Sequence, residues 1–302
     1  MLSAQQFKPP LRDGVSPSTV FLPFSIQYQT TFEFLCNKFA HISRQEWLQR
    51  FADGLVFSQS GLCLNQQSLY LSEQHIYYYR HLGSETLVPF TYEILFENDE
   101  FMLIDKPHFL TVNPTGQYVQ QTLLTRLKKD TGNADLTPIH RLDRETAGLI
   151  LISKNKLTRG IYQQLFAQKK VKKIYHAIAS YNAHLSFPMH FSAFMQKGEP
   201  FYTMCINDGV ANSHTEIDIL EHNHFWAKYQ LNPITGKQHQ LRVHMNALGL
   251  ALKNDRLYPK IKHDIENFNQ PLQLLAKYIY FEDPLTQQQM YFSSKKDIYL
   301  PE

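Results

Sequence analysis

The feature that most constrains this chain is the run His140-Arg-Leu-Asp-Arg-Glu-Thr-Ala-Gly-Leu-Ile-Leu-Ile-Ser-Lys-Asn155, where a dense polar cluster of both signs stands directly before a strongly apolar strand. A buried strand of this kind fixes the backbone, and Gly148 near its start lets another backbone approach closely. The loop before it can then project a carboxylate, flanked by guanidinium groups, into a cleft. Asp143 is the natural candidate for that carboxylate. Taken alone, an aspartate in a turn is more often a cap or an Asx-turn residue, so spacing by itself leaves its role open.

The distribution of charge adds to this. The whole chain carries a formal charge of only +3, a weak pointer to nucleic acid, because electrostatic binding depends on where charge sits. Between Ile139 and Tyr175, however, nine basic residues (Arg141, Arg144, Lys154, Lys156, Arg159, Lys169, Lys170, Lys172 and Lys173) face only Asp143 and Glu145. A solvated helix face and a nucleic-acid footprint both fit that segment on its own. With 302 residues, 43% hydrophobic and 19% charged, the chain is an ordinary globular one, long enough for a large domain plus a smaller one. Cys36, Cys63 and Cys205 form no C-x-x-C pair, which points to a reducing compartment and away from a disulfide scaffold or a cysteine-rich zinc site. The leader from Met1 to Leu22 has no apolar h-region, and the longest apolar stretch, Ala147 to Ile152, is too short to span a bilayer. The expectation is a cytoplasmic protein with no membrane role. No phosphate-binding glycine loop occurs, and the pairs His222/His224 and His239/His244 lack accompanying ligand spacing, so neither a nucleotide cofactor nor a metal is expected.

Local pattern predicts helix over Thr31 to Leu48 and a second short helix over Arg44 to Ala52. Short strands are predicted at Gly54 to Phe57, Gly61 to Leu64 and His75 to Tyr79. His81 to Phe90, with Gly83, Ser84 and Pro89, is the expected boundary. Beyond it, strands are predicted at Tyr92 to Asn98, Phe101 to Asp105, Leu149 to Ser153, Ile174 to Ser180, Thr215 to Leu220 and Phe225 to Leu231. Helices are predicted at Thr122 to Lys129 and Thr158 to Ala167. The order is not a regular alternation, which favours α+β over a doubly wound sheet.

The run from His140 to Leu149 resembles the signature of the RluA-type pseudouridine synthases, which act on ribosomal and transfer RNA. Asp105-Lys-Pro-His-Phe-Leu-Thr-Val-Asn-Pro114 resembles the family's upstream D-K-P motif, and Lys173-Ile-Tyr-His-Ala177 its K-x-Y-x-A strand. Thr235-Gly-Lys-Gln-His-Gln-Leu-Arg-Val-His244, with Leu248-Gly and Asn254 to Tyr258, resembles the third long motif. Leu274 to Ala276 and Asp283 to Thr286 resemble the C-terminal strand and turn. The N-terminal helix-helix-strand-strand pattern resembles the small S4 RNA-binding domain.

The resemblance implies an α+β fold with a mixed, mostly antiparallel central sheet and a catalytic cleft over residues 89–302, preceded by a leader and an S4-like α/β domain over residues 1–88. It implies that Asp143 is the carboxylate needed to detach uracil from C1′, let it rotate and rejoin it through C5. Whether it acts on C1′, on the base or on the C2′ proton stays open, because each route needs an ionised, positioned carboxylate. Arg242 falls where the family places a basic partner for that carboxylate. Tyr175 matches the tyrosine that stacks on the target base, and Leu274 the apolar residue on its other side. Arg141 matches the side chain that occupies the space left by an extruded base, and His140 and Lys173 complete the expected substrate contacts. RNA is the implied partner, a monomer the implied state, and no cofactor is implied. Lys237-Gln238, Leu275, Asn254 and Pro259 depart from the commonest pattern; none is an assigned catalytic group, so they bear on substrate choice. An RNA-binding factor that has kept the fold, and a deaminase or N-glycosidase, are the competing readings; the deaminase zinc pattern is absent.

Overall fold

The computed structural model describes residues 7, 9–80, 85–116 and 118–301. Lys8 of the leader and His81 to Ser84 of the expected boundary lie outside the described residues.

The chain divides into two units, the first comprising Met1–Thr86, Pro114–Gln121 and Thr125–Ala134. Its elements are β1 (Ser18–Leu22), α1 (Thr31–Lys38), α2 (Arg44–Ala52), β2 (Val56–Phe57) and β3 (Gln74–Tyr78), with the strands paired antiparallel in the order β1-β3-β2. Two capping boxes explain the helices. Thr30 and Glu33 exchange hydrogen bonds with each other's backbone N–H at the start of α1, and Ser43 and Glu46 do the same for α2. The first expected helix, Thr31 to Leu48, therefore stops at Lys38, and the second forms over the expected range Arg44 to Ala52. Phe32, Leu35, Trp47, Phe51, Leu22 and Ile76 form the core between them and the sheet. The expected strand Gly61 to Leu64 contributes only one bridge, Phe57 to Cys63, while Ser18–Leu22, read as leader, is a strand. Of the later segments, Pro114–Gln121 joins this unit through Glu85, whose carboxylate accepts the backbone N–H groups of Val119, Gln120 and Gln121 at 2.8–3.1 Å, and Thr125–Ala134 through Lys128, which donates to Ser16 Oγ at 2.9 Å.

The second unit comprises Leu87–Asn113, Thr122–Leu124 and Asp135–Glu302. In chain order it holds β4 (Glu93–Glu97), β5 (Phe101–Lys106), the first residues of α3 (Leu123–Thr131), β6 (Thr137–Pro138), β7 (Ala147–Ser153), α4 (Arg159–Ala167) and β8 (Lys172–Ser180). There follow β9 (Met189–Lys197), β10 (Met204–Asn207), β11 (Ser213–His222), β12 (Trp226–Pro233), α5 (Gln240–Ala247), β13 (Leu274–Glu282) and β14 (Gln289–Ser293). The sheet runs β10-β9-β11-β12-β8-β13-β7-β5-β4, with β14 beside β13 and β6 beside β7. Among the described residues its one parallel ladder is β13 with β7; the others are antiparallel, so the sheet is mixed and mostly antiparallel.

β7 is buried along its whole length, as its unbroken apolar run requires. Gly148 has φ +104, and a Cβ there would stand 2.3 Å from the Ala276 carbonyl oxygen and 2.7 Å from its nitrogen. Only glycine lets β13 pass this close, and that contact fixes where Leu274, two residues earlier, begins the strand.

Candidate active site

The Asp143 loop connects β6 to β7, and its backbone is tied down on several sides. Ile139 N–H donates to Leu151 O at 2.9 Å, and the Leu151 N–H donates to His140 Nε2 at 3.2 Å. His140 Nδ1 must then carry the ring proton and donate to Arg141 O at 3.2 Å, while the ring stacks on Phe166 at 4.5 Å. Burial and the neighbouring Lys173 push its pKa down to about 3, so the ring is neutral. From β5, the fully buried Lys106 donates to the carbonyls of Pro107, Leu110 and Arg144 at 2.8–3.1 Å. Burial pushes that ammonium down to about 7, against the pull of Glu145 and Asp143. His108 Nδ1 donates to Glu145 O at 2.6 Å, and the Arg144 guanidinium grips Glu266 through two bonds of 2.5 and 2.6 Å. Asp105, buried beside Lys106, instead accepts from Ser294 and the Lys295 N–H and pins the C-terminal segment.

The loop opens onto a cavity of about 620 Å³ lined by Arg141, Asp143, Lys173, Tyr175, Arg242, Leu274 and His140, so all seven residues singled out in the sequence meet at one place. Lys173, Tyr175 and Leu274 share one face of the β8–β13 ladder, where Leu274 lies opposite Ala177. Tyr175 is 8% exposed, and burial reinforced by the Asp143 charge raises its pKa, so its hydroxyl stays protonated at neutral pH. Burial lowers the pKa of the Lys173 ammonium. Arg141 is exposed at the cavity lining, and Lys169 and Lys237 also contribute to it.

Arg242 lies on α5 and is 1% exposed. Its principal partner is Asp255, which accepts Nε at 2.8 Å and Nη2 at 2.6 Å. The remaining nitrogen, Nη1, is 3.4 Å from Glu145 Oε2 and 3.9 Å from Asp143 Oδ2. Burial disfavours this cation, but the Asp255 bonds and the charges of Asp255, Glu145 and Asp143 outweigh burial and hold its pKa above the ordinary value. Burial likewise opposes ionisation of Glu145, yet Arg242 and Arg144 keep its pKa below the usual carboxylate range. His239, at the N-terminal turn of α5, places Nε2 3.9 Å from Asp143 Oδ2, with Nδ1 2.9 Å from the Tyr258 hydroxyl.

Sequence reasoning gave no site role to Lys106, Glu145, His239, Asp255 or Tyr258. All five lie inside the motif segments, but only the fold shows that they converge on Asp143 and Arg242. Among the described residues no cluster of three or more His, Cys, Asp or Glu side chains could hold a metal ion.

A model of the RNA pseudouridylate synthase family matches residues 100–247, which carry the Asp143 loop, β8 and α5. An uncharacterized RNA pseudouridine synthase of Helicobacter pylori is 30% identical over 206 residues, covering 63% of this chain and 69% of that protein. Another, from Synechocystis, is 28% identical over 233 residues, covering 75% and 78% respectively. The solved structure of human RNA pseudouridylate synthase domain containing 1 matches the fold with a TM-score of 0.56 at 23% identity, over 70% of this chain and 86% of that one. The chain belongs to the RNA pseudouridine synthase family, of the RluA type, and is an isomerase acting on RNA.

Proposed function

We propose that this protein isomerises specific uridines to pseudouridine in structured ribosomal or transfer RNA, with Asp143 as the catalytic carboxylate. The observation that carries this reading is the convergence of Asp143, Tyr175, Leu274 and Arg242 on one cavity large enough for a flipped nucleotide. Uracil rests between the Tyr175 ring and Leu274, while the Asp143 carboxylate, with Arg242 Nη1 3.9 Å from its Oδ2, faces the sugar. The N1–C1′ bond breaks, the base turns, a C5–C1′ bond forms, and the C5 proton is exchanged for one on N1. Tyr175, protonated, serves as a neutral partner of the base.

Arg141, exposed on the cavity lining, fills the stack vacated by the base; Lys173 and His140 complete the substrate contacts, and Lys169 to Lys173 meet phosphates. Residues 1–88 serve as a leader and S4-like RNA-binding module, and residues 89–302 as the catalytic part. The protein works as a monomer in the cytoplasm.

The test is to incubate purified protein with ribosomal and transfer RNA lacking pseudouridine and to map new pseudouridines by chemical labelling and sequencing. Discrete sites are expected in one RNA class or both. No site in either class would favour an RNA-binding role, and release of free uracil would favour a glycosidase.

A further inference from the structure

Two groups converge on the same oxygen of Asp143. Arg242 Nη1 and His239 Nε2 both stand 3.9 Å from Oδ2. Arg242 has little capacity to spare, because Nε and Nη2 are committed to Asp255 and Nη1 is shared with Glu145 at 3.4 Å. With Arg242 Nη1 itself 3.9 Å away, a second donor aimed at Oδ2 adds to the hold on that oxygen.

His239 is built to be that donor. Its backbone is left-handed, with φ 53° and ψ 17°, at the N-cap of α5, yet its side chain makes no capping bond. A non-glycine residue in that region is strained and persists only where its surroundings dictate the conformation. Here the conformation turns the imidazole, 9% exposed, from the helix toward Asp143. The ring's tautomer is set from behind. The Met204 N–H donates to the Tyr258 hydroxyl oxygen at 2.8 Å, which leaves the hydroxyl proton to go to His239 Nδ1 at 2.9 Å. Nε2 then carries the hydrogen. The opposite tautomer would set a ring lone pair against the Asp143 carboxylate. Burial holds the imidazole below its ordinary pKa although Asp143, Glu145 and Asp255 pull the other way, so it donates as a neutral group.

We propose that His239 is a positioning residue. Tyr258 fixes it as the Nε2–H tautomer, and that N–H joins Arg242 in holding Oδ2 of Asp143 so that Oδ1 is the oxygen presented to the sugar. The inference rests on Asp143 being the catalytic carboxylate. The 3.9 Å gaps close when substrate enters, since hydrogen bonds around a reacting group tighten in the substrate complex.

The experiment compares wild type with His239→Asn, His239→Gln, Tyr258→Phe and Asp143→Ala on an RNA that the wild type modifies, measuring kcat and KM separately. Asparagine tolerates the left-handed backbone but is too short to reach Asp143, whereas glutamine can place an N–H near the position of Nε2. We expect kcat to fall about tenfold or more in His239→Asn, as for loss of one hydrogen bond to a charged group, with KM within about twofold of wild type. His239→Gln should recover most of the loss, and Tyr258→Phe should lose a few-fold because either tautomer becomes available. If His239→Asn keeps wild-type kcat, or if glutamine and asparagine lose equally, while Asp143→Ala is inactive, the assignment of His239 is overturned alone. Activity in Asp143→Ala would overturn the reading of Asp143 as well.

Discussion

Asp255→Ala removes the group on which Arg242 depends. Asp255 accepts both Arg242 bonds and also the N–H groups of Leu257 and Tyr258 at 2.8 and 3.1 Å. Both side chains of the pair are 1% exposed, so truncation strands a guanidinium out of water, with Glu145 at 3.4 Å and Asp143 at 3.9 Å as its remaining counter-ions. Breaking a buried pair from one side costs about 3–5 kcal/mol. For a unit of about 200 residues, each kcal/mol moves the melting point by about 2–4 °C, so Tm should fall by roughly 6–20 °C. Asp255→Asn keeps an acceptor for the two backbone N–H groups and should lose less. Calorimetry with urea unfolding measures both. Released from Asp255, Arg242 is drawn onto Glu145 and Asp143, and kcat should fall even in the fraction that remains folded. A Tm for Asp255→Ala within about 2 °C of wild type would refute the claim that Asp255 holds this arginine.

Gly148→Ala sets a Cβ 2.3 Å from the backbone oxygen of Ala276 at φ +104, so β7 and β13 cannot both keep their places. Loss of about 3 kcal/mol or more is expected by urea unfolding, and a neutral effect would contradict the close approach. His108, His140 and His244 are pushed down to about 4, 3 and 4, chiefly by burial. Between those values and about 6.5 the unfolded chain binds more protons than the folded one. Stability is therefore fully present above pH 6.5 and is lost as pH falls toward 4, by up to about 1.4 kcal/mol per pH unit for each ring. His244, bonded to Ser213 and Thr215, should yield a flatter acid slope when replaced by glutamine, and an unchanged slope would exclude it as a contributor. Arg141→Ala should reduce activity on intact RNA while sparing an unstructured oligonucleotide; equal activity on both would remove Arg141 from RNA remodelling.

The seven residues that line the cavity could be singled out because they sit in dense motifs whose order along the chain resembles that of a known family. The network around them could not be. Nothing in the spacing of Asp255 from Arg242, or of Tyr258 from His239, says that a loop after α5 returns beneath that helix. α5 itself went unread because Gln240 to Met245 are all buried, and a helix buried all round offers no polar stripe for periodicity to find. β9 and β10 were missed for the opposite reason: only Ala193 and Met195 in β9 and Met204 in β10 are buried, so no apolar face stands out. The second helix, Arg44 to Ala52, was legible with its bounds, whereas the apolar rhythm carried the first helix past its end at Lys38.

Formation of the C5–C1′ bond expels the hydrogen on C5, so RNA carrying tritium at uridine C5 reports the reaction directly. The wild type should release tritium to water in step with pseudouridine formed, and Asp143→Asn should release none while still binding the RNA. Tritium release by Asp143→Asn at the wild-type rate would contradict the assignment of Asp143 as the catalytic carboxylate.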